Sequence, residues 1–139
     1  MKMKIRGQRG GAAAEFAIVL PILLVLLFGI VELGVLCYDK AVITNASREG
    51  ARAGIVYSFP DPIPDTEIIN VVSNYCSDHL ITFGATSVVN TTITRTGDSS
   101  GDPLSVSVAY RYDFLVLPNL VTALTGGINL VADTVMRME

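Results

Sequence analysis

Sixteen consecutive residues, Phe16 to Val31, carry no charge. Between Ala12 and Leu36 the only ionisable side chains in twenty-five residues are Glu15 and Glu32. A helix that spans a bilayer needs about 20 largely apolar residues, so this stretch is long enough to cross one. No other segment of the 139 residues constrains the fold as strongly. Glu15 is the anomaly in it. A carboxylate within a membrane helix costs about 2.5–3.5 kcal/mol on insertion scales and marks a functional position by default.

The charges are divided by this run. Lys2, Lys4, Arg6 and Arg9 precede it, and from Leu33 onward six basic residues face eleven acidic ones. A basic flank stays in the cytoplasm. The acidic remainder is therefore expected outside, in the periplasm of a cell with two membranes. Its charge argues against nucleic acid as a partner. Cys37 and Cys76 fall on the outer side, where a disulfide is permitted. They form one bridge, or are buried separately as small apolar residues. Two cysteines make no paired metal site.

The leader admits three readings. One is an uncleaved signal anchor. A secretory signal peptide needs small residues after its apolar run, whereas Ala12, Ala13 and Ala14 come before it. A lipoprotein cut before Cys37 would have the bulky Leu36 at its small-residue position. The third reading places the cut on the cytoplasmic side of the helix, after Gly10. Gly11 then becomes the N-terminus, and Glu15, followed by the aromatic Phe16, is the fifth mature residue.

Gly10-Gly11-Ala12-Ala13-Ala14-Glu15-Phe16 resembles the leader of class IV pilins, and most closely that of the TadE-like pseudopilins of tight-adherence (Tad) pili. Phe16 to Gly34, with Pro21, Gly29 and Glu32, is similar to that family's helix. Asn45-Ala46-Ser47-Arg48-Glu49-Gly50-Ala51-Arg52 is similar to the segment that follows it. The resemblance is specific over residues 7–54 and one of layout beyond. It departs at Gly11, where Ala or Ser is more usual, and in the shortness of the leader. It implies cleavage by a prepilin peptidase and action as a minor pilin with other Tad pilins and the inner-membrane assembly platform. It also implies a leader over 1–10, an assembly helix over 11–36 and a periplasmic head over 37–139.

The chemistry gives Glu15 a role in that scheme. The α-amino group freed at Gly11 of one subunit and Glu15 of its neighbour form a pair that is cheaper to bury than either charge alone. Such a pair sets axial register, as a buried polar group does in a coiled coil. The alternative is a Glu15 solvated at headgroup depth. Pro21 lacks an amide hydrogen and is expected to kink or open the helix. Glu32 is expected to mark the outer membrane face.

No proline interrupts Leu36 to Ile55, so the helix is expected to continue outward. Unbroken from Ala12 to Ile55, it would measure ~66 Å at ~1.5 Å per residue. Ala46, Gly50 and Gly54 recur every fourth residue and make a smooth stripe, for core packing or for another subunit. Asp39, Lys40, Arg48, Glu49 and Arg52 read as a solvated face. Three prolines make Phe59 to Pro64 a loop, and Asp65 or Thr66 is expected to cap a second helix over 65–81. Its inner face is Ile68, Val72, Tyr75, Cys76 and Leu80. His79 has no cysteine or histidine cluster beside it and reads as a boundary residue.

Leu104 to Phe114 alternates apolar and polar residues over eleven positions and is the clearest strand. Strands are expected over 86–95, 104–115 and 128–138, with Gly97 to Pro103 as a hairpin turn. The aspartates of that turn miss the spacing of a calcium loop. A short helix is expected over 117–124. The sum is an α+β chain: a long N-terminal transmembrane helix extends into a small head, where a second helix packs on a three-stranded antiparallel sheet.

No catalytic constellation, phosphate loop or metal spacing appears, so the chain reads as a non-enzyme without cofactor or small-molecule substrate. A TadE-like minor pilin is the leading reading. The alternatives are an uncleaved, signal-anchored periplasmic binding module and a major pilus fibre subunit.

Overall fold

The computed structural model describes residues 8–56, 62–82, 88–114 and 127–139. The basic leader before Gln8, the first half of the Pro-rich loop (59–61), and the short helix expected over 117–124 lie outside these. Five elements are seen: α1 (Gln8–Ile55), α2 (Asp65–His79), β1 (Val89–Arg95), β2 (Pro103–Tyr112) and β3 (Ile128–Arg137). The strands form one antiparallel sheet in the order β1-β2-β3. This is the expected α+β arrangement.

α1 is one helix of 48 residues that runs on through Pro21. Its two halves differ in burial. Along the first, Phe16 (62% exposed), Ile22 and Leu33 project outward with almost every other apolar side chain. Along the second, Val42, Ile43, Ala46 and Ala51 are buried against the sheet and α2. Burying an aliphatic side chain stabilises by about 1.5–3 kcal/mol, so the second half is held by its packing. Among the described residues almost nothing packs on the first half.

The close approach is made at two glycines. A Cβ at Gly50 would lie 2.5 Å from Val72 Cγ2, and one at Gly54 would lie 2.5 Å from Leu104 Cδ2 and 2.6 Å from Ile68 Cδ1. With Ala46 fully buried beside them, the small-residue stripe lies beneath α2 and β2.

β2 is the centre of the head. Leu104, Val106, Val108, Tyr110 and Tyr112 are buried on its inner face, and Ser105, Ser107 and Ala109 alternate with them on the outer. A hairpin joins it to β1 in the register Thr92↔Ser107. Gly101, at φ 93°, supplies the left-handed residue of the turn. β3 pairs along the other side of β2, with Leu130 and Ala132 turned into the core.

The start of α2 departs from expectation. Neither Asp65 nor Thr66 caps it; the cap is Pro64, in extended conformation and with no side-chain bond. Pro64 carbonyl oxygen accepts from Glu67 N at 2.9 Å. Asp65 reaches instead to Arg95 Nη2 at 2.8 Å on β1. A tertiary ion pair has taken the carboxylate that the local pattern assigned to the cap. Element ends also shift: α2 stops at His79, β1 starts at Val89, and β2 spans Pro103–Tyr112.

Candidate functional site

The candidate site is α1 itself, with the junction where its apolar half meets the head. Gly10, Gly11, Glu15, Phe16 and Pro21 all lie within the helix, and Gly11 to Val19 are exposed. A Cβ placed at Gly11 would meet no atom within 4 Å, so its surroundings are open. Glu15 and Phe16 sit on an unburied helix turn. Only 6% of the most apolar window of α1 is buried. A core helix of that hydropathy would be mostly covered. An exposed apolar surface of this length marks an interaction with lipid or protein.

At the junction the structure shows what sequence reasoning missed. Glu32 lies where the apolar half of α1 ends and is tied to the head: it is 4% exposed, and its Oε1 accepts a 2.6 Å hydrogen bond from the Tyr112 hydroxyl. Asp39 is not on a solvated face: it is fully buried, and its Oδ1 accepts from the Ile81 backbone N–H at 3.1 Å. Asp39 Oδ2 has no partner among the described residues. Burial pushes the Asp39 carboxyl above its ordinary range, and the Ile81 amide offsets part of that rise. The Tyr110 hydroxyl is raised by burial first and then by Asp39 and Asp113. The Tyr112 hydroxyl is raised by burial, by its bond to Glu32 and by the nearby carboxylates. A signal was available in the sequence. Glu32 and Asp39 are seven residues apart, two turns of helix, and so share a face.

The outer half of α1 makes two further ties, to β3. Lys40 Nζ donates to the Val131 carbonyl oxygen. Ser47 Oγ and Thr134 Oγ1 share a hydrogen bond of 2.7 Å. Lys40 therefore also leaves the solvated face, whereas Arg48, Glu49 and Arg52 remain on it.

The cysteines are not brought together. Both thiols are free, with Cys37 exposed on α1 and Cys76 buried in the core. Separate burial therefore holds for Cys76 alone. Burial pushes its thiol up to about 11. His79 is exposed at the end of α2, stacked on Tyr75 with ring centroids 4.4 Å apart.

These features define a class: a head built on one face of a long helix whose other half is apolar, exposed and suited to anchoring in a membrane. The sequence model of the TadE-like protein family matches residues 10–52, and over that segment the chain is similar to that family. The match runs from the glycine of the expected cleavage site to the part of α1 that packs in the head. No curated protein and no solved structure matches the chain.

Proposed function

We propose that this chain is a minor pilin, or pseudopilin, of a Tad-type pilus, processed by a prepilin peptidase and acting in pilus assembly and surface adherence. The observation that carries the reading is the TadE-like match beginning at Gly10, on a helix whose apolar half is exposed. Cleavage after Gly10 would remove the first three residues of α1 and leave Gly11 at its new N-terminus. Glu15 would lie about one turn further along the helix. There it is within reach of the α-amino group of a neighbouring subunit, so that each offsets the other's burial.

In this reading the leader (1–10) is cytoplasmic, the assembly helix (11–36) lies in the inner membrane, and the head (37–139) is periplasmic. Partners are the peptidase, the other Tad pilins and the assembly platform. The head is what argues for a minor subunit over a fibre-forming one, because the resemblance implies a major pilin that is mostly one helix.

The test is the N-terminal residue of the protein purified from its own cells, read by intact mass and peptide mass spectrometry. A chain that starts at Gly11 supports the proposal. A chain that keeps Arg9 overturns it and leaves an anchored periplasmic binding module. In the processed case, abundance in sheared fibres separates minor from major subunit.

A further inference from the structure

The two edges of the sheet are treated differently. Met138 N donates to Asp102 O at 2.9 Å, which extends the β2–β3 register and fixes which residues of β3 bond inward. Hydrogen-bonded and non-bonded pairs alternate in an antiparallel ladder. Even-numbered residues of β3 therefore bond to β2, and odd-numbered ones face the outer edge. That edge is tied to α1 at both ends: Lys40 donates to the Val131 carbonyl, and Glu139 N donates to Ile55 O at 3.3 Å. A lysine across an edge is a known guard against strand pairing.

β1 has no lysine across it among the described residues; its one charged tie is at its last residue, where Arg95 reaches Ile63 O and Asp65. Thr96 N donates to Pro103 O at 3.5 Å, so by the same alternation Asn90, Thr92 and Thr94 bond to β2. The backbone groups of Val89, Thr91, Ile93 and Arg95 face outward, and among the described residues none bonds to them. From Val89 to Thr94 the strand has no charge, proline or glycine. α2 packs chiefly on α1 and more lightly on β1. A cleft of about 350 Å³ lies there, lined by Ser73, Cys76 and Ser77 of α2 and by Val88 and Val89. Val88 is 66% exposed at its rim.

A second copy of this chain does not fit that edge. Antiparallel pairing of β1 with its equivalent requires a twofold axis normal to the sheet. α1 lies along the sheet, so the operation reverses it, and the two stems would leave in opposite directions. Stems anchored in one membrane cannot do that. A parallel pair on a twofold axis sets equivalent residues opposite each other, donor to donor, whereas parallel pairing needs slanted bonds to staggered residues. Pairing of β1 with the β3 edge of another copy meets Lys40 and α1.

We propose that β1 is a strand-addition site for an extended, uncharged segment of a different polypeptide. Alternate side chains of that segment would be small and apolar, to enter the cleft beneath α2. Main-chain bonds to Val89, Thr91 and Ile93 supply the affinity, and the cleft beside Cys76 supplies the choice of side chain. The inference rests only on α1 being a membrane anchor, not on leader cleavage, so mass spectrometry of the N-terminus can fail without touching it.

The test uses the full chain in detergent micelles and a capped ten-residue peptide of alternating Thr and Val as probe. Amide hydrogen exchange is read residue by residue by NMR. In the free chain Val89, Thr91 and Ile93 exchange fast and Asn90, Thr92 and Thr94 slowly. With peptide, the first three slow by roughly tenfold or more. Thr92→Lys, a solvent-face change that guards the edge, abolishes that slowing while leaving the exchange of β2 amides unchanged. Thr91→Pro, which removes one outward N–H and no bond to β2, does the same. Outward amides already slow in the dilute free chain mean that the edge is covered from within. Slowing that grows with protein concentration means that copies pair with each other. No change with peptide means that nothing is added. Each of these three results overturns the proposal.

Discussion

Tyr112 and Glu32, 80 residues apart in sequence, share a buried hydrogen bond of 2.6 Å. Tyr112 is at the end of β2, and Glu32 is the last charge before α1 becomes apolar toward its N-terminus. The bond therefore joins the head to the stem at the border between the two environments of the helix.

Removing the donor leaves a buried carboxylate with one bond fewer. Losing a hydrogen bond to a buried charged acceptor costs about 1.5–3 kcal/mol. Tyr112→Phe is expected to destabilise the head by that order, and Glu32→Gln, which keeps an acceptor for the hydroxyl, by less. Chemical denaturation of the full chain in detergent, followed by tyrosine fluorescence and circular dichroism, ranks the two variants. Equal losses would argue against this bond as the source.

Asp39 makes stability depend on pH. Its folded-state pKa lies above the ordinary 3.8, so the folded chain holds this proton more tightly than the unfolded one. The contribution is full below about pH 4 and is lost as pH rises through the folded value. Asp39→Asn is expected to flatten that part of the profile. Melting of wild type and variant from about pH 4 to about pH 7 checks it. Parallel profiles for the two proteins would remove Asp39 as the cause.

Gly54 fits only without a side chain. Ala there gains about 1 kcal/mol of helix propensity but drives Cβ into Leu104 and Ile68. Overpacking costs about 1–3 kcal/mol, so Gly54→Ala is expected to be neutral to destabilising and Gly54→Val clearly destabilising. Gly29, with nothing within 4 Å of a Cβ, is the control: Gly29→Ala is expected not to lower the denaturation midpoint of the head.

The two thiols should react unequally. Cys37 is exposed, while Cys76 is buried and its thiolate is disfavoured at neutral pH. N-ethylmaleimide on the folded full chain in detergent is expected to add once, at Cys37. After denaturation it adds twice. Intact mass and peptide mapping distinguish the cases, and early double labelling would show that the core around Cys76 opens.

Much of this fold was legible in residue order, because its signals are periodic and local. The unbroken apolar run declares α1, and the alternation of Leu104 to Phe114 declares β2. The spacing of Ile68, Val72 and Cys76 gives the buried face of α2. Two-residue and four-residue periods need no knowledge of what lies opposite. The candidate assembly residues, Gly10 to Pro21, were read from a motif and lie on a helix that reaches beyond the head. The head therefore adds little to what their order already said about them.

Asp39 was misplaced, and the partner of Glu32 went unread, for the opposite reason. A single acid on a helix looks solvated unless its partner is known, and the partners are Tyr112, far along the chain, and the backbone at Ile81. Asp65 failed as a cap because Arg95, also distant, took its carboxylate. The same holds for the sheet edges: nothing in β1 or β3 alone says that α1 closes the edge of β3 and, among the described residues, not that of β1. Sequence by itself determined the elements and the apolar stem, since hydropathy and period act within a few turns. Only the tertiary structure decided which charges are buried and which edge α1 closes, because those depend on pairings made across the chain.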